Sequence, residues 1–140
     1  MKKDVELSIR GIHRSGDEPD RVETLTQAEY YNRNGSHYLL YEENIEGFEK
    51  NAKNRMKLHD NVLEFTKQGI VDTKMIFEEN KRYAMNYATP YGCLPLNIHT
   101  TKLEVEEQEN RIRVTVAYLL EMDEKPVSQC ELDIEIRERP

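Results

Sequence analysis

Along residues 111–122 apolar side chains occupy alternate positions: Ile112, Val114, Val116, Tyr118, Leu120 and Met122 alternate with Arg111, Arg113, Thr115, Ala117, Leu119 and Glu121. A helix would scatter this set around its circumference, whereas a strand collects it on one face because successive side chains point to opposite sides. Cys130, Leu132, Ile134 and Ile136 repeat the pattern against Glu131, Asp133, Glu135 and Arg137. The two runs meet through residues 123–126, so they read as antiparallel neighbours with one dry and one wet face.

The same period runs through most of the chain. Val5, Leu7 and Ile9 alternate with Glu6, Ser8 and Arg10, and residues 14–20 collect Ser15, Gly16, Asp17, Pro19 and Asp20 as a loop. Residues 22–32 are rich in Thr and Tyr, Asn34-Gly35 signals a two-residue hairpin turn, and 37–43 is its partner strand. Residues 44–53 read as the longest irregular stretch, with room for a short helix and Phe48 as its one large apolar side chain. Strands at 55–59 and 62–67 flank an Asp60-Asn61 turn, and strands at 70–78 and 81–88 flank Glu79-Asn80. In the last of these, Tyr83, Met85 and Tyr87 share one face and Arg82, Ala84 and Asn86 the other, and either could point inward.

A Thr89-Pro90-Tyr91-Gly92 corner follows, Pro90 fixing φ at the second position and Gly92 tolerating the angles that close it. Beyond it Leu94, Leu96 and Ile98 have one parity while Leu103 and Val105 have the other. One extra residue between His99 and Lys102 reconciles them, because a bulge flips every later side chain to the opposite face. About nine or ten strands with no long helix indicate a β-sandwich or an up-and-down barrel. Closure is favoured, since pairing the first strand with the last removes the edges that so many successive hairpins would expose.

The chain of 140 residues is expected to be one domain, 1–140. A hydrophobic share of 37% against 34% charged suits a thin-walled barrel with a large wetted exterior. With 27 acidic and 20 basic residues the net charge is -7, which disfavours a nucleic-acid partner. No run of about 18 apolar residues spells a membrane helix, and Met1-Lys2-Lys3 leads into polar Asp4 and Glu6 without the apolar run of a secretory signal. A cytoplasmic, bacterial-type protein with two free thiols, Cys93 and Cys130, is therefore expected.

The combination of Tyr41-Glu42-Glu43, Phe77 before a charged turn, Tyr87-Ala88-Thr89-Pro90-Tyr91-Gly92, Leu96-Asn97-Ile98-His99-Thr100 and the strand around Tyr118 resembles the bacterial YwiB-like proteins, a domain of unknown function. The likeness covers nearly the whole chain, and Thr-Pro-Tyr-Gly is its most specific part. It implies an antiparallel β-barrel of calycin or lipocalin-like type. It implies no activity, cofactor or catalytic residue, and only by analogy a small apolar ligand within the barrel.

Tyr83, Tyr87, Tyr91, His99 and Tyr118 are the candidate ligand-lining residues, the tyrosines each offering an apolar ring and a hydroxyl. The plain alternative is ordinary packing of a filled barrel. His13, His37, His59 and His99 lie in separate elements without metal-ligand spacing, so neither a metal nor a cofactor is expected. Glu104, Glu106, Glu107 and Glu109 read as a solvated outer face. The leading expectation is a non-enzymatic barrel with a small-molecule ligand. An interaction module docking a protein or forming a homodimer through residues 44–53, Phe48 or Tyr30-Tyr31 stands second, and a thiol enzyme using Cys93 and His99 third.

Overall fold

A computed structural model of the chain describes residues 1–43, 52–68, 72–89 and 92–139, with backbone alone at 87–89. Its described residues form ten strands: β1 (Asp4–Arg14), β2 (Asp20–Arg33), β3 (Ser36–Glu43), β4 (Ala52–His59), β5 (Val62–Gln68), β6 (Thr73–Glu78), β7 (Lys81–Thr89), β8 (Gly92–Gln108), β9 (Arg111–Met122) and β10 (Lys125–Glu138). They make one antiparallel sheet in the order β6-β5-β4-β3-β2-β1-β10-β9-β8-β7. The first strand pairs with the last from Val5↔Glu138 to Arg14↔Gln129, so the meander curls into a nearly closed, calycin-like barrel with its seam between β6 and β7.

Three turns carry positive φ at both central residues: Asn34 with Gly35, Asp60 with Asn61, and Asp123 with Glu124. That is the geometry whose twist matches flanking antiparallel strands. The Pro90-Tyr91 corner lies outside the described residues, but Thr89 still pairs with Gly92 across it. Gly92 sits at φ 122, where a side chain would be strained.

The inner face collects Val5, Leu7, Leu39, Met56, Leu58, Leu63, Phe77, Met85, Ile98, Val114, Val116, Ile134 and Ile136, all buried. Met85 decides the open orientation of β7: the Tyr83 face points inward and Arg82, Ala84 and Asn86 are exposed. The expected bulge falls between Thr100 and Lys102, leaving Thr101 unpaired with its hydroxyl donating to the Ala117 carbonyl at 3.1 Å. Leu96, Ile98 and Thr100 before it, and Leu103 after it, are thereby all buried. A second shift between Pro126 and Ser128 accommodates a proline that has no N–H for the ladder.

Two boundaries differ from the sequence reading. The strand expected at 55–59 begins at Ala52, because Ala52 and Asn54 share the inward parity of Met56 and Leu58. β6 begins at Thr73 with Asp72 outside the strand, while residues 70 and 71, where the expected strand opens, lie outside the described residues, as do Phe48 and the helix expected near it.

Glu124 at φ 65 occupies a left-handed position without glycine's freedom. Replacing Asp123-Glu124 by Asn-Gly is expected to stabilise the fold by about 0.5–1 kcal/mol. Urea denaturation should show a higher midpoint at unchanged slope; an unchanged or lower midpoint would count against this strain.

Candidate functional site

The ladder between β2 and β3 runs only from Arg33↔Ser36 to Glu29↔Leu40. Past that point β2 stays with β1 as far as His13↔Asp20, while β3 stays with β4 as far as Glu43↔Ala52. The sheet therefore forks. In the fork lies a cleft of about 500 Å³ lined by Gln27, Ala28 and Glu29 of β2, Leu40, Tyr41 and Glu42 of β3, and Lys53 and Asn54 of β4, with Asp4 and Arg139 at its rim.

Ala28, Tyr41 and Asn54, which line the cleft, are buried and share the inward parity of the core. Tyr41 packs edge-on against Phe65 at 6.5 Å, and burial, then the nearby Glu43 carboxylate, pushes its hydroxyl pKa well above the usual tyrosine range. Asn54 is 2% exposed. Its Nδ2 donates to Glu43 Oε2 at 3.4 Å, and Glu43 Oε2 lies 3.6 Å from Lys67 Nζ. Its Oδ1 is buried and accepts no hydrogen bond. An acceptor left unpaired away from water costs about 1–3 kcal/mol, so this amide is a defect in the apolar wall unless something donates to it.

Of the residues singled out from sequence as ligand-lining, Tyr83, His99 and Tyr118 are described, and they do not share one site. Tyr118 is inside the barrel, buried against Phe77 with ring centroids 4.9 Å apart. Tyr83 is half-buried and donates to Glu78 Oε1 at 2.7 Å, the bond that chiefly raises its pKa. His99 falls on the outer face because it lies between inward-facing Ile98 and Thr100, so it does not line the interior. The Tyr87 side chain and Tyr91 lie outside the described residues.

On that outer face His99 Nδ1 sits 3.8 Å from Glu121 Oε2, and Arg82 Nε donates to Glu121 Oε1 at 2.9 Å. Glu121 is only 6% exposed despite its outward parity, and the arginine compensates its buried charge. Cys93 shares the outer parity with His99, but six extended residues separate them by about 20 Å. The pair expected from sequence cannot meet.

The cysteine that does meet an imidazole is Cys130, a contact the sequence reading missed. Cys130 pairs with His13 in one ladder and Tyr118 in the next, and Tyr118 pairs in turn with Thr100. Its Sγ lies 3.3 Å from His13 Nδ1 and 3.4 Å from Ser128 Oγ, and it hydrogen-bonds the Tyr118 hydroxyl. Burial raises the thiol pKa; the bonds from Ser128 and Tyr118 oppose that rise without cancelling it. Burial likewise drives the Tyr118 hydroxyl far above its ordinary 10.0. Another polar chain crosses one end of the barrel: Tyr30 Oη and His37 Nδ1 are 2.5 Å apart, and His37 Nε2 is 2.7 Å from Glu107 Oε1. Among the described residues no three His, Cys, Asp or Glu side chains gather as metal ligands would.

Because Cys130 and Tyr118 hold their protons beyond ordinary values of 9.0 and 10.0, the folded state binds more protons than the unfolded chain above that range. Stability is fully present below pH about 9 and falls as pH rises beyond it, by up to about 1.4 kcal/mol per pH unit per group. Tyr118→Phe should cost about 1 kcal/mol at neutral pH through its lost hydrogen bond and should flatten the alkaline decline. Urea midpoints measured across pH 8 to 11 test both; an equally steep decline in the variant would remove Tyr118 from the explanation.

No helix among the described residues is long and apolar enough to cross a membrane. No curated protein matches the sequence. The fold is similar to that in the crystal structure of the ywiB protein from Bacillus subtilis, with a TM-score of 0.84 over 99% of this chain and 93% of that one at 17% identity. At that identity the likeness speaks for the barrel alone. A family model described as a domain of unknown function, DUF1934, matches residues 7–134, nearly all of the paired sheet, and the chain therefore belongs to the DUF1934 family.

Proposed function

We propose that this protein is a non-enzymatic, cytoplasmic binder of a small, partly apolar molecule, seated in the fork between β2 and β3 with an N–H or O–H group donating to Asn54 Oδ1. The observation that carries this reading is the unpartnered acceptor of a side chain 2% exposed, at the wall of a cleft of about 500 Å³. That volume lies in the range of small-molecule sites, where apolar walls supply affinity and a few polar atoms fix orientation. Ala28, Leu40 and the Tyr41 ring supply the apolar wall, and Asp4, Glu29, Lys53 and Arg139 surround it with charge of both signs. The ligand then has an uncharged donor end, an apolar body and a polar end toward solvent.

A binding role without chemistry is supported by the raised pKa of the Cys130 thiol, since nucleophilic catalysis needs the thiolate. It is also supported by the separation of Cys93 from His99. The cytoplasmic placement rests on both cysteines being free.

Native mass spectrometry of freshly purified protein, followed by thermal shift against a panel of partly apolar amides, alcohols and aryl amines, tests the reading. Asn54→Leu keeps the volume and removes the orphan acceptor. It should raise the stability of the ligand-free protein by about 1 kcal/mol and abolish the shift produced by any panel hit. A variant that loses stability and retains the ligand shift would overturn the assignment of Asn54.

A further inference from the structure

The fork has a second consequence. From Asp20 to Ala28, β2 is bonded to β1 on one side, and its ladder with β3 starts only at Glu29. Tyr30 N donates to Lys3 O on the β1 side at 2.7 Å. Backbone groups alternate sides along a strand, so those of Arg21, Glu23, Leu25 and Gln27 point away from β1. The Gln27 carbonyl accepts weakly from its neighbour Thr26 Oγ1 at 3.4 Å. Two apolar side chains stand in solvent along this edge, Val22 at 60% and Leu25 at 69% exposure. Long flat edges with exposed apolar residues pair with other strands unless blunted by proline, a bulge or inward-pointing charge. Within 20–28 there is no proline, and Pro19 lies just before it.

We propose that this edge of β2 docks a second copy of the chain, each copy adding an antiparallel strand to the other about a twofold axis. The segment Arg21-Val22-Glu23-Thr24-Leu25-Thr26-Gln27 suits itself as partner. Centred on Thr24, the register opposes Val22 to Thr26, two β-branched residues, and Thr24 to its own copy, with about eight backbone hydrogen bonds from the outward groups. Glu23 is already neutralised by Arg10 at 3.4 Å within its own copy, and Arg21 comes diagonal to Glu29 of the second copy. A C2 interface is self-complementary and closes, so pairing stops at two and does not run on as a fibre.

Sedimentation equilibrium of the full chain tests the assembly. The fitted mass should approach twice 16.6 kDa as concentration rises, while Leu25→Lys, a change at a solvated position, should remain at 16.6 kDa with an unchanged β-sheet circular dichroism spectrum. The register is tested in a Cys93→Ser background, which removes the exposed thiol. Opposed non-hydrogen-bonded residues lie about 4.5 Å apart at Cα, within reach of a disulfide. Thr24→Cys should therefore oxidise to a covalent dimer, and Val22→Cys, set against Thr26, should not. A mass that stays at 16.6 kDa, a Leu25→Lys variant that dimerises like the parent, or equal crosslinking of the two cysteine variants would each overturn the proposal.

Discussion

The pairing of β1 with β10 is the constraint on which the rest of the barrel depends. It joins residues more than a hundred positions apart through ten consecutive partners, Val5↔Glu138 to Arg14↔Gln129. Local hairpins alone would leave a meander with two free ends, each presenting unpaired backbone to solvent. Once the terminal strands are joined, the ends of the sheet become β6 and β7, which the Glu79-Asn80 turn already holds together. The Asn80 N–H then donates to Thr100 O at 2.8 Å, and Glu79 Oε1 accepts from the Leu103 N–H at 3.4 Å, so the turn itself secures β8 at the seam.

That closure also explains the unusual polar contacts. Thr100, Tyr118, Cys130 and His13 belong to four strands and to one inward row, set by three successive registers. Each polar group is held where its neighbour in the ladder can reach it, except Thr100 Oγ1, which is buried without a partner. The Tyr30–His37–Glu107 chain works differently: its members lie on β2, β3 and β8, and its second link joins β3 to β8, which are not neighbours in the sheet, so it ties one wall to another. Such interior polar links contribute about 1 kcal/mol each when satisfied and fix one packing over its alternatives.

What could be read from sequence was what depends on period and turn chemistry. The alternation of β9 and β10, the Asn34-Gly35 turn and the extra residue before Lys102 follow from rules that act within one or two strands, and the structure places them accordingly. The candidate site was not legible, because it depends on where a ladder stops. Nothing in Gln27-Ala28-Glu29 or Leu40-Tyr41-Glu42 distinguishes a paired strand from a diverging one. Asn54 was hidden for a related reason: an amide beside Lys53 looks like loop chemistry, and only its pairing with Tyr41 turns it inward. His99 shares the polar chemistry of the candidate tyrosines but not the inward parity of Tyr83 and Tyr118, and its place beside inward-facing Ile98 sends its side chain outward. Cys130 and His13 meet only through the long-range ladder, which no local spacing encodes.

Fork and core represent two ways of treating a polar atom in an apolar wall. At Cys130 the wall is continuous, the thiol is surrounded by donors and acceptors, and burial leaves it neutral. At Asn54 the wall opens beside a cleft about 500 Å³ in volume, one end of the amide is held by Glu43, and the other is buried without a partner. An amide cannot shed its polarity by moving a proton, as a thiol or carboxyl group can, so its unpaired oxygen remains a standing cost to the wall. The position of the fork follows from the same competition between strands. β2 retains β1 and β3 retains β4, and the Tyr41 ring against Phe65 holds β3 on the far side of the gap. The separation that exposes the outer edge of β2 thus also opens the cleft beside Asn54, so the proposed small-molecule seat and the proposed strand-docking edge both rest on one departure from regular pairing.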